Sequence, residues 1–184
     1  YNTSLTFGSE GQLLARHRKV HLFDIDIPGK ISFHESEVLS PGDKVTLLEV
    51  PGYGKLGLAI CYDIRFPKLF AELSRRGARL AIVSASWGAG PGKVEQWELL
   101  ARARAIDSNM FVVALGQADP EVSGVDVPPK GPTGVGHSLV ADPYGHVVVS
   151  LGGEETLEIV EIDLGLADEA AEAVPVLVNA KLGY

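Results

Sequence analysis

Cys61 is the single cysteine of the chain, set in the stretch GKLGLAICYDIRFP (residues 54–67). An apolar run rich in Leu and Ile delivers it to a point where a helix is about to begin. A thiol there lies near backbone N–H groups and the positive end of a helix dipole, both of which favour the thiolate. The amide of Tyr62, the next residue, is placed to help bind an oxyanion. Free cysteine is also among the most buried residue types, and the same position suits inert packing. The segment alone leaves both readings open.

Other residues carry weaker signals. Lys19, in RHRKVHLFD, precedes an alternating His21/Phe23 pattern, and a lysine at a strand end can point into a cleft and stabilise developing negative charge. Arg16 and Arg18 read as solvated surface. Glu35, in SFHESEVLSPGD, has Glu37 two residues on; most such acids are capping or solvated groups, and spacing alone assigns no base. His21, His34 and His137 are candidates for a Cys/His dyad, and no local signature singles one out.

These residues must be positioned by the elements between them. Alternation through Thr3, Leu5 and Phe7, a turn over 8–11, then Leu13 and Leu14, predict a hairpin. A chain opening inside a sheet element is expected to be the remainder of a longer one. Residues 21–42 read as a long functional loop with one helical turn. Strands over 44–50 and 55–60 form a hairpin across Pro51-Gly52. A helix over 66–76 starts near Pro67 and buries Leu69, Phe70 and Leu73. Residues 79–85 and 110–116 are continuous apolar strands of the kind buried on both faces. A second helix over 94–107 carries Val94, Trp97, Ala101 and Ala105 at helical spacing, with Glu98 and Arg102 paired outside. A hairpin turns at 142–145, and 156–164 reads as a last alternating strand. Strands and helices alternating in the middle, with flanking hairpins, predict an α/β layered sandwich.

Composition bounds the function. With 184 residues, 46% hydrophobic and 22% charged, the chain suits one globular domain. A net charge of −8 argues against reading a nucleic-acid backbone. No apolar run reaches membrane-span length and no signal peptide opens the chain. One cysteine makes no internal disulfide, and no Cys/His cluster has zinc-ligand spacing. The default expectation is a cytoplasmic protein without structural metal.

Taken together, the segments resemble the nitrilase superfamily, the carbon–nitrogen hydrolases. HRKVHLFD, GLAICYDIRFP, WELLARARAID and GHSLVADPYGHVV fall in the family's order and at its spacing, over essentially the whole chain. HLFDIDIPGKISFHESEVLSPGD looks most like the omega-amidase branch, with deaminated-glutathione amidases close behind. The resemblance implies a Glu–Lys–Cys triad in which Cys61 is the nucleophile that attacks an amide or nitrile carbon. Lys19 matches the lysine that stabilises the tetrahedral intermediate, with the Tyr62 amide as second oxyanion donor. Glu35 matches a further glutamate that lines the pocket and holds lysine and substrate. The family's base glutamate comes from a region before the lysine, and Glu10, in a hairpin turn, does not match it.

The resemblance therefore implies a single carbon–nitrogen hydrolase domain over 1–184, N-terminally incomplete, in an α-β-β-α sandwich lacking its first strands and helices. It implies no cofactor, no metal, and a homodimer or higher homo-oligomer paired through the helices after the nucleophile. The expected substrate is a small carboxylate-bearing amide such as 2-oxoglutaramate, cleaved with release of ammonia. Arg65 is the candidate for the substrate carboxylate, or else an ion-pair partner of Asp63. Trp87, in SASWGAGPG, narrows the acyl pocket, stacks on substrate, or simply anchors a strand end. Larger amides, or an inactive remnant serving as an interaction module, are the competing readings.

Overall fold

A computed structural model describes residues 1–29, 31–126 and 133–181. In chain order its elements are β1 (Thr3–Phe7), β2 (Leu13–Arg18), β3 (Asp24–Ile27), β4 (Ile31–His34), β5 (Thr46–Val50), β6 (Gly54–Ile60), α1 (Pro67–Arg75), β7 (Ala78–Ala85), α2 (Lys93–Ser108), β8 (Phe111–Gly116), β9 (Leu139–Ala141), β10 (Val147–Ser150), α3 (Gly165–Ala173) and α4 (Val176–Asn179). Single 3-10 turns occupy Glu35–Glu37 and Cys61–Arg65.

Six strands form one mixed sheet in the order β10-β9-β8-β7-β6-β5. β6, β7 and β8 run parallel, joined by α1 and α2, while β5, β9 and β10 pair antiparallel at the flanks. The parallel centre follows from its sequence: each apolar strand is followed by an amphipathic helix that must return over the sheet. Both helices lie on the same face. Phe70 and Leu73 of α1 and Trp97, Ala101 and Ala105 of α2 are fully buried against Ala59, Ala81, Val83, Val112 and Ala114. Gly57 permits α1 to come this close, since a Cβ there would lie 2.8 Å from the Leu73 side chain. α1 stops at Gly77, whose φ of +98° supplies the left-handed exit.

The opposite face carries Leu80, Phe111 and Val140, against which Ile162, Leu164 and Leu166 pack. The β1–β2 hairpin lies beside β5 and β6. Its register pairs Leu5 with Arg16 and Phe7 with Leu13.

Two expectations fail. Residues 156–164 form no strand: no ladder lies beside them among the described residues, and Leu157 and Ile159 stand 85% and 86% exposed. Alternation prepares a strand, but a strand exists only where a partner accepts its backbone hydrogen bonds. The stretch 21–42 is not simply a loop. It contains the β3–β4 hairpin, closed near Gly29 at φ +71°, before the 3-10 turn. Aspartates at 24 and 26, poor strand formers, conceal it in the sequence. They are held by local partners: Asp26 accepts from Ser32 Oγ and His34 Nε2, and Asp24 accepts from the Ser36 N–H.

No helix among the described residues is long and apolar enough to cross a membrane.

Candidate active site

β6 ends at Ile60, and the chain turns abruptly at Cys61, which has φ +47°. A non-glycine residue held there stores about 1–2 kcal/mol of backbone strain and needs its surroundings to keep it in place. The support is Asp63. Its Oδ2 accepts the Ile60 N–H at 3.0 Å, closing the 3-10 turn over the cysteine. From beneath, the buried Arg104 of α2 donates its Nε to the Ile64 carbonyl at 2.9 Å.

Lys19 enters from the end of β2. Period-two alternation continues past the strand: His17 and Lys19 are buried, whereas Arg16 and Arg18 are exposed. Backbone bonds hold the lysine on both sides, its N–H to the Asn2 carbonyl and its own carbonyl to the Gly42 N–H. A lysine only 2% exposed requires a counter-charge. Glu35 supplies it: Glu35 Oε2 accepts from Lys19 Nζ and also from the Phe23 N–H at 2.8 Å. Glu35 is placed by the β3–β4 hairpin, which delivers it at the first residue of its 3-10 turn.

The three groups act on one another electrically. Burial pushes the Cys61 thiol above its ordinary range; the Lys19 ammonium pulls it down, Glu35 pushes it up, and the Tyr62 N–H beside the sulfur pulls it down. Burial wins. The expectation that a helix onset lowers this thiol's pKa is thereby corrected: the Tyr62 N–H does pull it down, but burial outweighs that pull, and only a short 3-10 turn opens at Cys61, α1 beginning at Pro67. The Sγ faces the Ser86 carbonyl at 4.0 Å. A protonated thiol of this kind reacts only when a base takes its proton.

Among the described residues no histidine hydrogen-bonds to the thiol. His21 bonds Asp63, His34 bonds Asp26, and the His137 carbonyl accepts from Trp97 Nε1. Glu10 lies in the β1–β2 turn, exposed. Arg65 does not pair with Asp63; its Nη2 donates to Gln96 Oε1 at 2.8 Å, and its guanidinium lies 5.1 Å above the Trp87 ring. Trp87 is itself buried, tilted against Trp97 at 5.2 Å, with Nε1 donating to the Lys93 carbonyl. Its ring thus anchors the strand end and carries Arg65 on its face. Tyr62 packs its ring edge-on to Phe23 and Phe66.

His17 and Arg104 were not among the residues singled out in the sequence, and Asp63 was named there only as a partner for Arg65. The alternation of His17, Lys19 and His21 was visible there; the carboxylate that gathers the two histidines, more than forty residues away, was not.

The carbon–nitrogen hydrolase family model matches residues 1–172. A hydrolase of Mycobacterium tuberculosis is 48% identical over 174 residues, 94% of this chain and 60% of that protein. The omega-amidase of Xenopus tropicalis is 43% identical over 176 residues, 96% of this chain and 60% of its own. Among solved structures, Saccharomyces cerevisiae Nit3, a member of branch 10 of the nitrilase superfamily, matches with a TM-score of 0.79 and 38% identity, over 96% of this chain and 58% of that one. The chain therefore spans about 60% of the length of the curated relatives it matches.

Proposed function

The chain belongs to the carbon–nitrogen hydrolase family, and from that premise we propose that it carries most of the site of a thiol amidohydrolase acting on a small carboxylate-bearing amide. The observation that carries the reading is a buried lysine ion-paired to a glutamate, with both charges felt by the thiol of a cysteine held at positive φ. In the proposed reaction, Cys61 Sγ attacks the amide carbon. The Lys19 ammonium and the Tyr62 N–H stabilise the oxyanion as it forms. The C–N bond breaks as the nitrogen gains a proton and leaves as ammonia, and water then cleaves the thioester to the free acid. Glu35, committed to Lys19 and the Phe23 N–H, holds the lysine rather than deprotonating the thiol. The proton-accepting role falls, in this reading, to a base other than Glu35, which takes the thiol proton and returns it to the departing nitrogen. Arg65, free of Asp63 and lying on Trp87, is the proposed partner of the substrate carboxylate.

The same reading makes the six-stranded sheet and its helices two layers of a four-layer α-β-β-α sandwich. The β1–β2 hairpin then belongs to the second sheet, whose remaining strands would cover Leu5 and Phe7. Two copies pair through α1 and α2, where Leu99 and Ile106 stand exposed. A lone reduced thiol of this kind suits a cytoplasmic setting.

The test is ammonia release from 2-oxoglutaramate by the whole protein. Cys61→Ala abolishes it with the circular dichroism unchanged, and Lys19→Ala lowers kcat by about 100-fold or more, the scale of a lost oxyanion donor. Arg65→Met raises KM for carboxylate-bearing amides and leaves KM for neutral amides unchanged. Undiminished turnover in Cys61→Ala or Lys19→Ala overturns the proposal.

A further inference from the structure

His17, Lys19 and His21 lie two residues apart on one ribbon, which leaves β2 after Arg18 and bends at residues 20 and 21. The middle one reaches Glu35 and acts on the thiol. The outer two meet a single carboxylate: His17 Nε2 lies 3.3 Å from Asp63 Oδ2, and His21 Nδ1 lies 2.8 Å from Asp63 Oδ1. The His21 backbone N–H adds a bond of 2.9 Å to Oδ1, and the Ile60 N–H one of 3.0 Å to Oδ2.

Asp63 is fully buried, and each of its oxygens accepts two N–H donors. An ionised carboxylate only accepts, so this arrangement assigns the tautomers: the proton of His21 is on Nδ1 and that of His17 on Nε2. The remaining nitrogen of His17, Nδ1, lies 3.1 Å from Thr46 Oγ1 in β5. The His21 ring stacks on Phe66, the residue before α1, with centroids 3.6 Å apart and planes 6° from parallel. The carboxylate thus ties the ribbon, on both sides of Lys19, to the turn that presents Cys61, and each histidine is fixed in turn to a neighbouring element.

We propose that Asp63, acting through His17 and His21, is a positioning residue that sets the Lys19 ammonium against the Cys61 sulfur. The proposal rests on the reading of Cys61 and Lys19 as nucleophile and oxyanion lysine. Lys19 carries its charge on a long, flexible side chain, and Glu35, its side-chain partner among the described residues, follows a separate hairpin. What relates the lysine to the cysteine is the backbone on either side of it, and that backbone is bracketed by bonds to the carboxylate two residues beyond the sulfur. Two carboxylates therefore divide the work, Glu35 holding the ammonium and Asp63 holding the ribbon that carries it.

Asp63→Asn turns an amide donor toward N–H donors inside a buried network and can unfold the protein, so the deciding variants fall on the half-buried His21. His21→Asn keeps a donor near the position of Nδ1, whereas His21→Leu removes it and leaves the charge of Asp63 intact. The readout is the rate of Cys61 alkylation by iodoacetamide near neutral pH, followed on the Cys61 peptide by mass spectrometry. It requires no amide turnover, so it decides the positioning role even if the hydrolase reading fails. His21→Leu slows alkylation about fivefold, because a displaced ammonium no longer favours the thiolate. His21→Asn recovers most of that rate. In a Lys19→Met background, His21→Leu costs less than about twofold more, the non-additivity of groups that act as a unit. On 2-oxoglutaramate, His21→Leu lowers kcat more than it raises KM. The proposal is overturned if His21→Leu leaves alkylation unchanged. Equal slowing in the Lys19→Met background overturns it too, because the histidine would then act on the turn alone. So does equal slowing by His21→Asn, which would reduce the role to packing on Phe66.

Discussion

The two faces of the six-stranded sheet are built differently. On the helix face, Phe70, Leu73, Trp97, Ala101 and Ala105 are all fully buried, and the layer is closed by residues close in sequence to the strands they cover. On the other face the cover comes from the β1–β2 hairpin and from residues 162–166. That hairpin turns Leu5 and Phe7 outward, 49% and 57% exposed, while small or polar residues such as Ser4, Thr6 and Ala15 lie on its less exposed side. The candidate site uses both faces. The closed face supplies the rigid turn of Cys61, and the thinly covered one supplies Lys19 and Glu35. The lysine side therefore needs polar bonds to do what packing does for the cysteine side.

The sharpest way to break the comparison is to truncate an aromatic on each face. Phe70→Ala costs about 3–5 kcal/mol of unfolding free energy in urea melts, the usual cost of emptying a buried phenyl site. In the 184-residue chain by itself, where its ring is 57% exposed, Phe7→Ala changes it by no more than about 0.5 kcal/mol, as for an ordinary surface position. Equal losses would mean that the hairpin face is as closed as the helix face.

Asp63 is the polar counterpart of that packing. Burial pushes its carboxyl up, but the bonds from His17, His21 and Ile60 prevail and hold it below the ordinary 3.8. A carboxyl depressed in the folded state adds stability that is complete above the unfolded value and is lost as pH falls through the folded one. Asp63→Asn should thus cost about 1–3 kcal/mol near neutral pH, the penalty of orphaned buried donors. In urea melts the gap to the parent should narrow below about pH 3.8. A gap that does not depend on pH would remove the carboxylate's charge from the account.

A smaller effect separates the two groups flanking the thiol. Lys19→Met should move the pH midpoint of Cys61 alkylation upward, because the ammonium pulls the thiol down. Glu35→Gln should move it downward, because that carboxylate pushes it up. Shifts of the same sign would contradict the geometry.

The smallest effect belongs to the β3–β4 hairpin. The hydrogen bond to Asp26 raises the pKa of the half-buried His34 above 6.5. Its stabilising contribution is present below that value and is lost as pH rises through the folded one. Hydrogen exchange of residues 24–34 should therefore be slower at about pH 5.5 than the intrinsic pH dependence of exchange predicts from about pH 8, and His34→Ala should erase the difference.

Much of this was legible because it is local. The spacing of Leu69, Phe70 and Leu73 predicts α1, that of Trp97, Ala101 and Ala105 predicts α2, and the end of an apolar strand before a turn singles out Cys61. The hairpin at Asp142 follows from its own turn residues. Where the reading failed, the deciding partner was remote or missing. Residues 156–164 alternate like a strand, yet among the described residues no strand pairs with them. The hairpin at 24–34 was hidden because its aspartates oppose the strand pattern until Ser32, His34 and Ser36 satisfy them.

The amino-acid sequence by itself determined which residue types the site contains, because strand and helix periodicity and a lone thiol at a strand end are properties of neighbours along the chain. Only the tertiary structure decided that Lys19 meets Glu35 and that Asp63 gathers two histidines instead of Arg65. It also decided that the thiol's pKa rises rather than falls. The reason is physical: hydrogen bonds across forty residues and the removal of water around a sulfur depend on what packs nearby, and no spacing along the chain encodes that.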